Sequence, residues 1–147
     1  MITATLKTIL TASGCTLVIY EDQRMANAQF VDQSDEATII GLVTQLNSMT
    51  LEVKANAIHE HYNPLYIEVA QQVALEDKAD NNEVKFQALL NICKQILVRI
   101  IAEGTLKHLT PVLVEKISET RYDANVIGWV MTLDLYYLLN ENRDPCL

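Results

Sequence analysis

Glycine is scarce in this chain, with four residues in 147, and there are only three prolines. A nucleotide cradle needs several glycines so that backbone N–H groups can close on the phosphates. No such Gly-rich loop occurs, and neither do Gly-x-Ser-x-Gly and His-Glu-x-x-His. Cysteine is equally sparing. Cys15, Cys93 and Cys146 form no Cys-x-x-Cys pair and have no metal-type spacing, which argues against a thiol-built site and points to a reducing compartment. Cys93 sits in an apolar helical run, where it reads as a small hydrophobe. Positive charge is the third shortage: 11 basic against 19 acidic residues give a net charge of −8. The basic residues are scattered rather than gathered into a stripe, so direct binding to nucleic acid or to an anionic membrane surface is not expected. No run approaches the roughly 20 apolar residues of a membrane span.

What the chain does hold is apolar residues, which make up 50% of it. A chain of this length buries on the order of 70% of its unfolded surface, enough for one real core. Residues 1–147 are therefore expected to form a single α+β domain, with apolar surface left over for a partner.

The strongest pattern lies near the end. Ile127, Trp129, Met131, Leu133, Leu135 and Tyr137 alternate with Gly128, Thr132 and Asp134, the period of a strand with one buried face. Tyr122-Asp123-Ala124-Asn125 before it is turn-forming, and residues 111–118 read as its partner in a long closing hairpin. At the other end, Ile2, Leu6, Ile9 and Leu10 recur at helical spacing, with Gly14 as C-terminal cap. Residues 15–20, 38–46 and 50–58 read as extended runs; 65–75 fits strand or helix, with Pro64 as its boundary. Residues 76–83 read as a charged turn in which Asn81 or Asn82 caps the helix that follows. That helix, 84–103, carries Val84, Leu89, Ile92, Cys93, Ile96, Leu97, Ile100 and Ile101 as its apolar face and stops at Gly104. The expected architecture is a mainly antiparallel sheet with an N-terminal helix and one long helix on one face, closed by a β-hairpin.

Candidate chemistry is thin. His59-Glu60-His61 is the one tight group of metal-capable side chains, and two imidazoles at i and i+2 on a strand share a face. No third ligand is near in sequence, so a solvated turn before Asn63-Pro64 is the better reading. His108, after the long helix, has no nucleophile beside it. The pairs Asp35-Glu36 and Glu76-Asp77 lie at polar boundaries and read as solvated loops. Trp129 reads as core or interface. Ala12-Ser13-Gly14-Cys15 loosely matches a lipoprotein cleavage box, but Lys7 interrupts the stretch before it, and a helix end explains it better. The polar segment 21–36, with Met25 and Phe30 as isolated apolar residues, reads as a long loop and a contact surface. No catalytic residue, metal or cofactor is expected.

The order of these elements resembles the tail terminator and tail-to-head joining (neck) proteins of long-tailed bacteriophages, in the divergent form carried by prophages. The segments that carry the resemblance are the opening helix at 2–10, Leu65-Tyr66-Ile67-Glu68-Val69-Ala70-Gln71-Gln72 leading to Leu75-Glu76-Asp77, the helix at 83–103, and the closing segment from Arg121. Within the last, Asp123-Ala124-Asn125-Val126-Ile127-Gly128-Trp129 is the most specific piece. The resemblance implies a non-enzymatic structural protein that forms a homo-oligomeric ring, typically a hexamer. Such a ring caps the tail tube, meets the head connector, assembles in the host cytoplasm and ends in the virion tail. A ring requires two different patches on each protomer, for which Met25 and Phe30 are candidates. Two other classes fit the same residues: a dimeric adaptor domain of non-viral origin, and a small ligand-binding domain or enzyme in which His59 and His61 converge with acidic groups.

Overall fold

The computed structural model describes residues 2–20, 37–44, 48–55, 57–73, 79–108, 111–121 and 124–138. In chain order these form α1 (Ile2–Ser13), β1 (Leu17–Ile19), β2 (Ile39–Thr44), β3 (Thr50–Lys54), β4 (Ala57–Gln72), α2 (Ala79–Ala102), β5 (Leu106–His108), β6 (Leu113–Arg121) and β7 (Ala124–Leu138). The fold is α+β, as expected. Two long strands, β4 and β7, lie antiparallel at the centre of a seven-stranded sheet. Each is long enough to hold two shorter strands along its outer side. On β4 these are β2, opposite residues 66–71, and β3, opposite 57–61. On β7 they are β6, opposite 124–132, and β5, opposite 135–137. Among the described strands, only β1 on β2 is parallel.

Both helices cover one face. Leu6 and Leu10 of α1 and Leu89, Cys93, Ile96 and Ile100 of α2 bury against Leu65, Ile67 and Val69 of β4 and Met131, Leu133 and Leu135 of β7. The alternation along β7 follows from this: its odd-numbered residues face the helices. A second, smaller cluster of Ile19, Ile40, Leu42, Ala70 and Val126 occupies the other face near β1.

Helix α1 ends as its Ser-Gly suggested. Gly14 has φ of 121°, its N–H donates to the Thr11 carbonyl (3.2 Å), and the Cys15 N–H donates to the Leu10 carbonyl (3.0 Å). These are the two bonds of a Schellman cap. Ala12-Ser13-Gly14-Cys15 is thus a helix end. Gly14→Ala forces a side chain into left-handed backbone and is expected to cost about 1–2 kcal/mol, read as a lower urea midpoint at unchanged m.

Several expectations are corrected. Pro64 bounds no element: β4 runs from Ala57 to Gln72 through a cis Asn63–Pro64 peptide. The strand tolerates it because the ladder to β7 is interrupted between Tyr62 and Leu65, so no pairing N–H is demanded there. Residues 65–72 are therefore strand. Residues 50–58 are not one run, since Ala55 turns the chain with φ of 51° and starts a two-residue hairpin. Helix α2 begins at Ala79, which places Asn81 and Asn82 inside its first turn rather than at its cap. Val84 and Ile101 face solvent instead of the core, and Phe86 is buried in their stead. Strand β5 had no counterpart in the expected order.

Candidate functional site

The hairpin β3–β4 brings together a group of polar side chains on the face that neither described helix covers. His59 and His61 stand on strand β4, not on a solvated turn, and share that face with Glu52 and Lys54 of β3. His61 pairs with Tyr136 in the β4–β7 ladder, and Asp134 lies two residues along the same face. The His61 ring is held from both sides. Its Nδ1 lies 3.1 Å from Glu52 Oε1, and its Nε2 lies 2.5 Å from Asp134 Oδ1. It stacks on the Tyr136 ring at 4.1 Å with planes 3° apart. The Tyr136 hydroxyl donates to Glu52 Oε2 (2.7 Å), the Lys54 ammonium lies 3.3 Å from the same oxygen, and Lys54 also hovers over the Tyr136 ring at 4.9 Å.

Each ring nitrogen of His61 thus faces a carboxylate oxygen, one from β3 and one from β7. The arrangement is an ionic clamp from β3 across β4 to β7. The hydrogen bond from Tyr136, followed by Lys54, holds the Glu52 carboxyl below its usual range, and the same contacts push Lys54 and Tyr136 upward. Nothing in the clamp is a free nucleophile. Cys15 and Cys93 are no better: burial pushes both thiols up to about 12, leaving them protonated and inert. Cys146 lies outside the described residues.

Of the two histidines that the ligand-binding alternative brings together with acidic groups, His61 meets Glu52 and Asp134. Both His61 nitrogens are engaged, while the Nδ1 of His59 is buried without a partner. Among the described residues no group of three or more His, Cys, Asp or Glu is placed to hold an ion. His108 lies on β5, where its Nε2 is also buried and unpaired. Trp129 is structural: its indole N–H donates to the Phe86 carbonyl (2.8 Å), and the two rings meet edge-on at 6.0 Å. Met25, Phe30, Asp35-Glu36 and Glu76-Asp77 lie outside the described residues. Among the described helices none is long and apolar enough to cross a membrane.

Burial lowers the His108 pKa from 6.5, against the opposing pull of Asp134. A depressed value means that its contribution to stability is complete above about pH 6.5 and fades as pH falls through the folded value. The Glu52 contribution is complete above about 4.5 and is lost in a second, more acidic window. His108→Leu is therefore expected to flatten the slope of melting temperature against pH just below 6.5, and Glu52→Gln the slope below 4.5. Unchanged slopes in the variants would remove both groups from the acid limb.

The other side of the same hairpin is apolar and open. Leu51, Val53 and Ile58 are exposed, as is Met49 just before β3. The pairings Leu51 with Glu60 and Val53 with Ile58 place these side chains on the face the helices cover elsewhere, beyond their reach. A second open apolar pair, Val98 and Ile101, lies near the end of α2. Sequence reasoning missed both patches. The clue to the first is the alternation of Met49, Leu51 and Val53, which the reading of 50–58 as an extended run did not assign to either face. Comparison with protein-family models and with curated proteins finds no match for this chain.

Proposed function

We propose that the protein is a structural component of a long-tailed phage or prophage, a tail terminator or head–tail joining protein that works by closing into a ring. The observation that carries this reading is the presence of two dissimilar apolar patches on one protomer, the β3–β4 hairpin and the outer side of α2. A heterologous contact that repeats around an axis needs two different surfaces of this kind. Isolated exposed apolar residues are ordinary, but a cluster of them on one hairpin is a feature of contact sites. The resemblance in element order supplies the identity of the partners: the tail tube below and the head connector above, met in the host cytoplasm. No catalytic residue or cofactor enters this role.

Native mass across a concentration series, with images of the largest species, tests it. Closed rings of a single size are expected. A stable two-fold dimer would replace the ring with an adaptor that buries the same hairpin symmetrically.

A further inference from the structure

We propose that the β3–β4 hairpin of one copy seats on the outer face of α2 of the next copy. This contact rests on the ring reading above and specifies its interface. On the hairpin, Leu51 is 60% and Val53 73% exposed, with Ile58 beside Val53 and Glu60 beside Leu51 on the same face. On the helix, Val98 is 56% and Ile101 81% exposed. Spaced by three residues, they form one apolar ridge. Lys94 continues the ridge one turn earlier, and Arg99 lies in the last turn of α2. Both basic residues are exposed.

Three observations select a second copy of this chain as the occupant. Both patches are aliphatic, one on a strand hairpin and the other on a helix, and both stay uncovered in the protomer. Their flanks carry opposite charge: Glu60 borders the hairpin patch, and Lys94, one turn before Val98, borders the helix patch. On a chain of net charge −8, this basic ridge finds an acidic counterpart on every neighbouring copy. The hairpin is also braced for the purpose. Glu52 on its reverse side is tied through His61 to Asp134 and directly to Tyr136, so little conformational freedom remains to be lost on docking. The Glu60 carboxylate is itself oriented, accepting the Tyr62 hydroxyl at 2.9 Å.

The test uses the full chain and its surface variants. Val53→Lys spoils the hairpin half, and Ile101→Lys spoils the helix half. Both positions are exposed, so thermal melts should match the wild type and separate folding from assembly. Each variant alone is expected to lose rings, with the dissociation constant raised about 100-fold by a lysine forced into the apolar contact. Mixed in equal amounts, the two variants should form pairs and nothing larger, because each keeps the half that the other lacks. A further variant, Glu60→Lys combined with Lys94→Glu, should recover rings that Glu60→Lys alone weakens. Rings that survive Ile101→Lys would overturn the contact and leave the ring reading standing. So would a mixture that yields no pairs, while pairs formed by Ile101→Lys on its own would point to two hairpins meeting each other. A wild type that stays monomeric at every concentration would overturn both.

Discussion

Gly128→Ala is expected to leave the protein without a cooperative folded state. Gly128 lies in β7 opposite Ala70, and a Cβ built there falls 2.2 Å from the Val69 carbonyl oxygen and 2.9 Å from the Ala70 Cα. These are backbone atoms, which have no rotamer with which to step aside. Nor can β4 retreat as a strand, since Val69 and Ala70 also pair with Gly41 and Ile40 of β2 on the other side. The clash would have to be relieved by parting the two central strands. A loss of more than about 4 kcal/mol follows, a large share of the roughly 5–15 kcal/mol that holds an ordinary domain together. Gly41→Ala is the informative control. Its Cβ meets the Leu10 Cδ2 at 2.6 Å and the Cys15 Sγ at 3.0 Å, both side-chain atoms. Leu10 can turn, so about 1–3 kcal/mol of overpacking is expected there. Urea titration ranks the two, and a Gly128→Ala protein that melts like the wild type would mean that β4 and β7 do not pair in this register.

That glycine also marks where sequence reading succeeds and where it stops. The strand around it was legible, because one face of β7 is buried under α2 and the alternation of Ile127, Trp129, Met131 and Leu133 records that burial. The helices were legible for the same reason, as was the Gly14 cap. Legibility failed where two effects compete at one residue. Pro64 ordinarily ends a strand, but the bulge beside it removes the demand for its missing N–H. Ala55 is not a residue that advertises left-handed backbone, and a lone Asn56 after it is a weak turn signal, so the hairpin between β3 and β4 was read through as one run. The apolar face of α2 was drawn too wide. Spacing alone does not say where the sheet ends, and Ile101 lies past its cover while Phe86 lies beneath it. The ionic clamp was invisible for a different reason. Glu52, His61, Asp134 and Tyr136 are joined by bonds that span 73 and 84 residues of chain. Only the order of strands brings them together, and no local pattern encodes that order.

Ile67→Ala, by contrast, is expected to weaken the fold strongly without abolishing it. Ile67 is fully buried, lies opposite the equally buried Met131, and sits in the layer between the central strands and the helices. Removing its outer carbons forfeits their transfer energy and leaves a cavity that paired strands cannot close, a loss of about 2–5 kcal/mol. For a chain of this length that corresponds to a melting temperature lower by about 6–15 °C. The matching substitution on the hairpin, Leu51→Ala, removes a similar side chain that water already reaches. Its effect on melting should stay within about 0.5 kcal/mol, and its effect should appear instead in the concentration at which copies associate. The two substitutions therefore separate two uses of apolar surface in one sheet: Ile67 holds the chain to itself, and Leu51 serves a neighbour in the contact proposed above. If Leu51→Ala lowered the melting temperature as far as Ile67→Ala, the hairpin would belong to the core of the single chain, and its exposed face would offer no surface for assembly.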